Sequence, residues 1–362
     1  MGTVMISKEI SVVLVLPFLL TTFAAKINVQ TRKDEAPNFV FILTDDQDRL
    51  LGESGYTTLG SLEIMPNLQS KLIDEGAIVD NFLVNTPICC PSRTEFFTGR
   101  YFHNVGGPEV EKCMHADTSL AGSSETGLFG VLKNHGYNVG IFGKVTNDQE
   151  KILDQMSGEE KSVDYVDAPN GHEYHNFTTN EYWRYWAEND TTTVEIIDSN
   201  DPIFGSIYQT SQLGNRTLRW LDAITGESKP FFAYIGPHAP HFPAQPAPWY
   251  EHAFDDVNAP ITPNYNVESP DKAQHIRQNP PLDERAKCWE NQHFRDRWGS
   301  LLSVDDLIND LYEYLDANML LDNTYIIYSS DHGYKQGQWR IGNFTSSTTV
   351  LIIFCQNFVQ YL

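Results

Sequence analysis

Positive charge is scarce in this sequence. Only 25 lysines and arginines stand against 48 aspartates and glutamates in 362 residues, a formal net charge of -23. That balance excludes nucleic acid as a partner, because a phosphate backbone would be repelled. It also requires that any anionic ligand be met by cations gathered locally; most of the carboxylates read as a solvated acidic surface. Cysteine is scarce as well, at five residues. An odd, small number is not a disulfide scaffold. Cys113 and Cys288 are free to pair, although nothing in their spacing demands it, and the adjacent Cys89 and Cys90 need an explanation of their own. Internal repeats and low-complexity tracts are absent. Long apolar runs are nearly so: residues 10–23 form one, after Lys8 and before the small Ala24 and Ala25. It is short for crossing a bilayer and reads as a secretory signal peptide spanning 1–25 rather than an anchor. No membrane span is then expected in the mature chain. Sequons at Asn176, Asn189, Asn215 and Asn343 agree with a secretory route.

Four short apolar runs are present, each of a length suited to a buried strand: 39–43 (FVFIL), 139–142 (VGIF), 231–235 (FFAYI) and 324–328 (TYIIY). Helix-compatible stretches at 65–75 and 301–321 lie between them, which predicts parallel strands covered by helices on both faces. Polar residues follow each run. Asp45 and Asp46 follow the first, Lys144 the second, His238 and His241 the third, and Asp331 and His332 the fourth. In an open α/β sheet the ligand crevice lies outside the carboxyl ends of the strands, so these residues should meet at one edge. Residues 259–281, rich in proline and asparagine, read as a long ordered connection.

The sharpest local signal is TPICCPSRTEFFTGR at 86–100. Pro91 suits a helix beginning, Phe96 and Phe97 should face a core, and Cys89 falls at or just before the helix N-terminus. That position is expected to lower a thiol pKa. A buried cysteine pair beside a proline turn is the alternative.

Cys89-Cys90-Pro91-Ser92-Arg93, with Thr98-Gly99-Arg100 downstream, resembles the Cys-x-Pro-Ser-Arg signature of the formylglycine-dependent sulfatases. The resemblance runs over about 37–340 and is closest to the N-acetylglucosamine-6-sulfatase and arylsulfatase branch. It implies an alkaline-phosphatase-like α/β fold with a mostly parallel sheet, and a catalytic domain at 37–340. It further implies oxidation of Cys89 to formylglycine by a formylglycine-generating enzyme in the secretory pathway, and a final location outside the cell or in the lysosome. Asp45, Asp46, Asp331 and His332, with the modified Cys89, match the calcium site; oxygen donors suit a hard cation. Arg93, Lys144 and His241 match the catalytic cations, His241 being preferred to His238. The implied reaction is hydrolysis of a sulfate ester of a sugar or an aryl alcohol. Two departures stand out. Thr146 replaces a histidine that many sulfatases carry, and no lysine follows Lys335. The smaller C-terminal domain of the family is expected to be missing or incomplete, with an apolar tail at 341–362 in its place. Two alternatives follow: a truncated, inactive binding protein, or a phosphodiesterase-like relative using another nucleophile.

Overall fold

The computed structural model describes residues 36–48, 64–79, 82–105, 127–147, 162–169, 181–186, 191–196, 207–341, 346–347 and 352–355. The expected signal peptide, Cys113, Asn176, Asn189 and Asn343 lie outside them. Strand β1 (Asn38–Thr44) sends alternate side chains to opposite faces, as the pleat requires. Val40 and Ile42 enter one core with Phe142, Ile235 and Ile326. Phe41 and Leu43 enter a second with Ile141, Phe232 and Tyr234. A strand apolar on both faces needs cover on both sides of its sheet.

The remaining strands are β2 (Gly76–Val79), β3 (Asn138–Gly143), β4 (Tyr165–Pro169), β5 (Glu181–Trp186), β6 (Thr191–Ile196), β7 (Phe231–Gly236), β8 (Thr324–Ser330), β9 (Gly333–Tyr334), β10 (Ser346–Ser347) and β11 (Ile352–Cys355). Among the described residues, nine form one sheet in the order β2-β11-β8-β1-β7-β3-β4-β5-β6. The five central strands pair in parallel. Antiparallel strands flank them, including β11 from the apolar tail, which pairs with β8 and β2.

Helices α1 (Cys89–Thr98) and α2 (Leu128–Asn134) cover the Phe41 face through Phe97 and Phe129. Helix α3 (Gln209–Ile224) lies on the other face through Leu213 and Trp220. After β7 the chain runs through a long connection holding the short α4 (Gln274–Arg277). Helix α5 (Glu284–Ala317) then lays Phe294, Trp298, Leu301, Val304 and Ile308 on the same core as α3. Its start is capped by Asp283, whose carboxylate accepts from Ala286 N at 2.8 Å. No helix among the described residues is long and apolar enough to cross a membrane.

The helical signal at 65–75 is met by a helical stretch, π-helical over Leu68–Ile73, that gives way to β2. Other expectations need correction. Phe96 does not face a core: it lies across Phe41, ring centroids 4.5 Å apart, and stays 39% exposed. Of the cysteines whose pairing was open, Cys288 is a free, exposed thiol, while Cys90 is disulfide-bonded.

Candidate active site

The carboxyl ends of β1, β3, β7 and β8 lie side by side, and each opens into a polar segment. At the end of β3 the chain turns through Gly143, at φ 86°. A Cβ there would stand 2.3 Å from the Gly236 carbonyl oxygen at the end of β7. Glycine lets the two strand ends close, and Lys144 N donates to Gly236 O at 2.8 Å. Lys144 is thereby held beneath the site, where its Nζ pairs with Asp45 Oδ2. After β1, Asp46 adopts a left-handed backbone, φ 69°, which is uncommon outside glycine and frequent at functional sites. The turn swings Asp45 and Asp46 to one side of the sheet end. Its amides are tied to β8: Asp46 N donates to Asp331 Oδ1 at 3.1 Å and Gln47 N to Ser330 Oγ at 2.9 Å.

Cys89 is the first residue of α1. Its Sγ stands 3.5 Å from Asp45 Oδ1 and 3.3 Å from His332 Nε2. The expectation of an acidic thiol is overturned: burial, then the negative Asp45, push Cys89 up to about 11. The helix N-terminus favours a thiolate, but it acts on a group withdrawn from water beside a carboxylate.

Arg93 is fully buried one turn further along α1. Its Nε donates to Asp331 Oδ2 at 2.8 Å. One terminal nitrogen reaches Lys144 O at 2.8 Å and Tyr234 Oη at 2.9 Å, and the other reaches Thr44 O at 3.3 Å. The planar fork thus ties three strand ends to one helix, a geometry that lysine cannot reproduce. Asp331 is correspondingly saturated, since its Oδ1 also accepts from His332 N at 2.8 Å.

All three histidines that sequence placed here, His238, His241 and His332, arrive. The Nδ1 of His332 lies 3.0 Å from Gly333 O, which turns Nε2 toward Cys89 and to 3.2 Å from Asp46 Oδ1. His241 Nε2 lies 3.8 Å from Asp46 Oδ2. Burial opposes a charge on His241, but Asp45 and Asp46 outweigh it and raise the imidazole to about 9. His238, one ring away at 4.8 Å, is buried, with Nδ1 3.8 Å from Asp45 Oδ2. Asp45 is held well below the usual carboxylate range, because Lys144, His241, Arg93 and His238 together overcome its burial. Asp46 moves up instead, burial being the largest cause.

Asp45, Asp46, Cys89 and His332 place donor atoms within 4.8 Å of one another. Asp46 Oδ1 is buried without a hydrogen-bond partner. An orphaned carboxylate oxygen among further acidic oxygens fits a bound cation.

Arg297, on α5, escapes sequence reasoning. It is fully buried and donates from one terminal nitrogen to Asp46 O at 2.5 Å and Asp48 Oδ2 at 2.9 Å, with its guanidinium 4.7 Å from the Tyr334 ring centroid. No local pattern marks it, because 251 residues separate it from the carbonyl it holds. Arg340, by contrast, pairs with Glu268 at 3.7 Å.

A helix start bearing Cys89, a cluster of carboxylates and two buried cations thus meet at the carboxyl ends of the parallel strands. A family model described as Sulfatase matches residues 37–349, and the chain belongs to the sulfatase family. It is 33% identical over 315 residues to N-acetylglucosamine-6-sulfatase of Capra hircus, covering 84% of this chain and 52% of that protein. It is 28% identical over 343 residues to an arylsulfatase of Volvox carteri, covering 85% of this chain and 48% of the relative. The chain therefore spans about half the length of the curated relatives it matches. Among solved structures, BT4656 in complex with its substrate D-glucosamine-2-N,6-O-disulfate superposes with a TM-score of 0.64 at 18% identity, covering 89% of this chain and 72% of that one. At that identity the likeness speaks for the fold.

Proposed function

We propose that this chain hydrolyses sulfate esters through a formylglycine derived from Cys89, with a calcium ion beside it. One observation carries the reading: Cys89, at the first position of α1, lies in the same buried cluster as Asp45, Asp46, Asp331, His332 and Lys144, with the half-buried His241 at its edge. Asp45 and Asp46, with His332 next to them, would hold the cation, and Asp331, whose oxygens accept from Arg93 and two backbone amides, would fix the loops that present them. The hydrated aldehyde supplies an oxygen nucleophile, and the cation offsets the charge of the sulfate oxygens. The chain's own groups supply the rest. Lys144 brings a buried positive charge to the sulfate side of the site. Arg93 orients Asp331 and the strand ends. His241, held up to about 9, is protonated at neutral pH and can deliver its proton to the departing alcohol oxygen.

The substrate class this reading favours is a 6-sulfated N-acetylglucosamine, with aryl sulfates as the second class. The first follows the Capra hircus relative and the substrate held by BT4656, the second the Volvox carteri relative. The modifying partner would be a formylglycine-generating enzyme, and the compartment the secretory pathway, ending outside the cell or in the lysosome. Asn215, exposed on α3, is the described sequon that a glycan would reach. Mass spectrometry of the Cys89 peptide from a secretory host should show aldehyde in place of thiol, and purified protein should release sulfate from glucosamine-6-sulfate faster than from an aryl sulfate. An unmodified thiol throughout, with no release from either ester, would overturn the proposal.

A further inference from the structure

Before conversion Cys89 is a thiol, and in that state the site carries a different set of donors from the one an aldehyde would give. We propose that the chain with Cys89 unconverted binds a zinc ion, through Cys89 Sγ, His332 Nε2, Asp45 Oδ1 and Asp46 Oδ1.

Distances carry the argument first. In a tetrahedral zinc site with sulfur at about 2.3 Å and nitrogen or oxygen at about 2.0–2.1 Å, neighbouring donors lie roughly 3.3–3.6 Å apart. Here the sulfur lies 3.3 Å from His332 Nε2 and 3.5 Å from Asp45 Oδ1, and His332 Nε2 lies 3.2 Å from Asp46 Oδ1. All four donors are within 4.8 Å of one another and all four residues are buried. Little movement is needed to close them on one ion.

Availability comes second. Asp46 Oδ1 is buried with no hydrogen-bond partner, so it is open to a cation. The Gly333 carbonyl accepts from His332 Nδ1, so Nε2, which faces both the sulfur and Asp46 Oδ1, is the nitrogen that would exchange its proton for a metal. Asp45 gives its other oxygen to Lys144. Asp331 is excluded from this set because Arg93 and two backbone amides already take its oxygens.

Donor chemistry comes third. Thiolate and imidazole suit zinc, whereas calcium takes six to eight oxygens. Replacing the sulfur by an oxygen would remove the softest donor and turn the same cluster toward a hard cation. Coordination exchanges the thiol proton for the metal, so a thiol and a zinc dication give a zinc thiolate and one released proton; a proton on His332 Nε2 leaves in the same way. Three carboxylates, Asp45, Asp46 and Asp331, face three cations, Arg93, Lys144 and His241. A thiolate added among them is one negative charge in excess, which a dication offsets.

The test uses the chain from a host lacking the converting enzyme, with the Cys89 thiol verified by mass. Titration with cobalt(II), as a coloured stand-in for zinc, should give tetrahedral visible bands and a thiolate-to-cobalt charge-transfer band, saturating at one metal per chain and bleached by zinc. Cys89→Ser should abolish the charge-transfer band, Cys288→Ser should leave it, and His332→Asn should weaken binding roughly tenfold or more. Zinc should also raise the melting temperature of the parent and not of Cys89→Ser. Absence of the band in the parent, or its loss with Cys288→Ser alone, overturns the inference. If Cys89→Ser fails to fold, His332→Asn and the parent decide the matter. Sulfate hydrolysis by the converted chain, with no zinc on the thiol form, would sink this inference alone; zinc binding without hydrolysis would sink only the proposed activity.

Discussion

Arg93 is the side chain on which the arrangement of the site most depends, because one guanidinium joins Asp331, two strand-end carbonyls and the Tyr234 hydroxyl in a place without water. Arg93→Lys keeps the charge but loses the fork, leaving acceptors unmatched in the interior. Each such loss costs about 1–3 kcal/mol, so the urea midpoint of the variant should fall clearly. An unchanged midpoint would show that the fork is not structural. His293, on α5, makes a prediction about acid. It is 3% exposed, and burial, then the positive Arg297, push its imidazole down to about 3. An unfolded histidine titrates near 6.5. As pH falls below that value the unfolded chain takes up a proton that the folded chain refuses. The contribution is therefore full above about pH 6.5 and is lost progressively toward pH 3, at up to about 1.4 kcal/mol per pH unit. His293→Gln should flatten the fall in melting temperature between about pH 6 and pH 4. The same slope in both proteins would assign the acid sensitivity to other groups.

Strands and helices place these side chains, and they differ in how far the sequence announces them. The four apolar runs became β1, β3, β7 and β8, and their polar endings do converge, because a continuous apolar run signals a strand buried on both faces. Such strands in parallel leave their carboxyl ends together. Cys89 at the start of α1 was legible for a local reason, the Pro91 pattern. The acidity expected of its thiol was not realised, since burial depends on what the rest of the chain piles around it. Arg297 and His293 were illegible for the same reason: their meaning lies in contacts that α5 makes with loops far away in sequence. Two element-scale outcomes follow. Gly143→Ala forces a Cβ to within 2.3 Å of Gly236 O at a left-handed φ, so it should part β3 from β7 and destabilise the fold by more than about 1 kcal/mol. Thermal unfolding at the wild-type temperature would contradict this. Arg297→Met removes the support under Asp46 O and Asp48. A lost second layer of this kind weakens metal binding by about 10–100-fold, and the calcium dependence of the melting temperature should shift to match. A variant that binds calcium as tightly as the parent would make Arg297 a packing residue only.

For the molecule as a whole, a net charge of -23 and the sulfated substrate proposed above pull against each other. Arg93 and Lys144 are buried and matched to carboxylates only ångströms away, so they act at contact range and cannot offset the outer field. A sulfate ester approaching from solvent first meets a negative surface and is repelled over about one Debye length, roughly 30 Å at 0.01 M ionic strength and 8 Å at 0.15 M. Added salt shortens that reach long before it weakens interactions inside the site, which are screened much less. Capture of the substrate should therefore quicken with salt, the reverse of the trend for a steered, oppositely charged pair. The measurement is kcat/KM for a sulfated monosaccharide between about 0.01 and 0.15 M ionic strength, with an inert salt that supplies neither sulfate nor a divalent cation. It should rise severalfold while kcat stays level, because kcat reports the bound state. A fall in kcat/KM over the same range would mean that cations at the mouth of the site outweigh the acidic surface, and that the substrate is steered in.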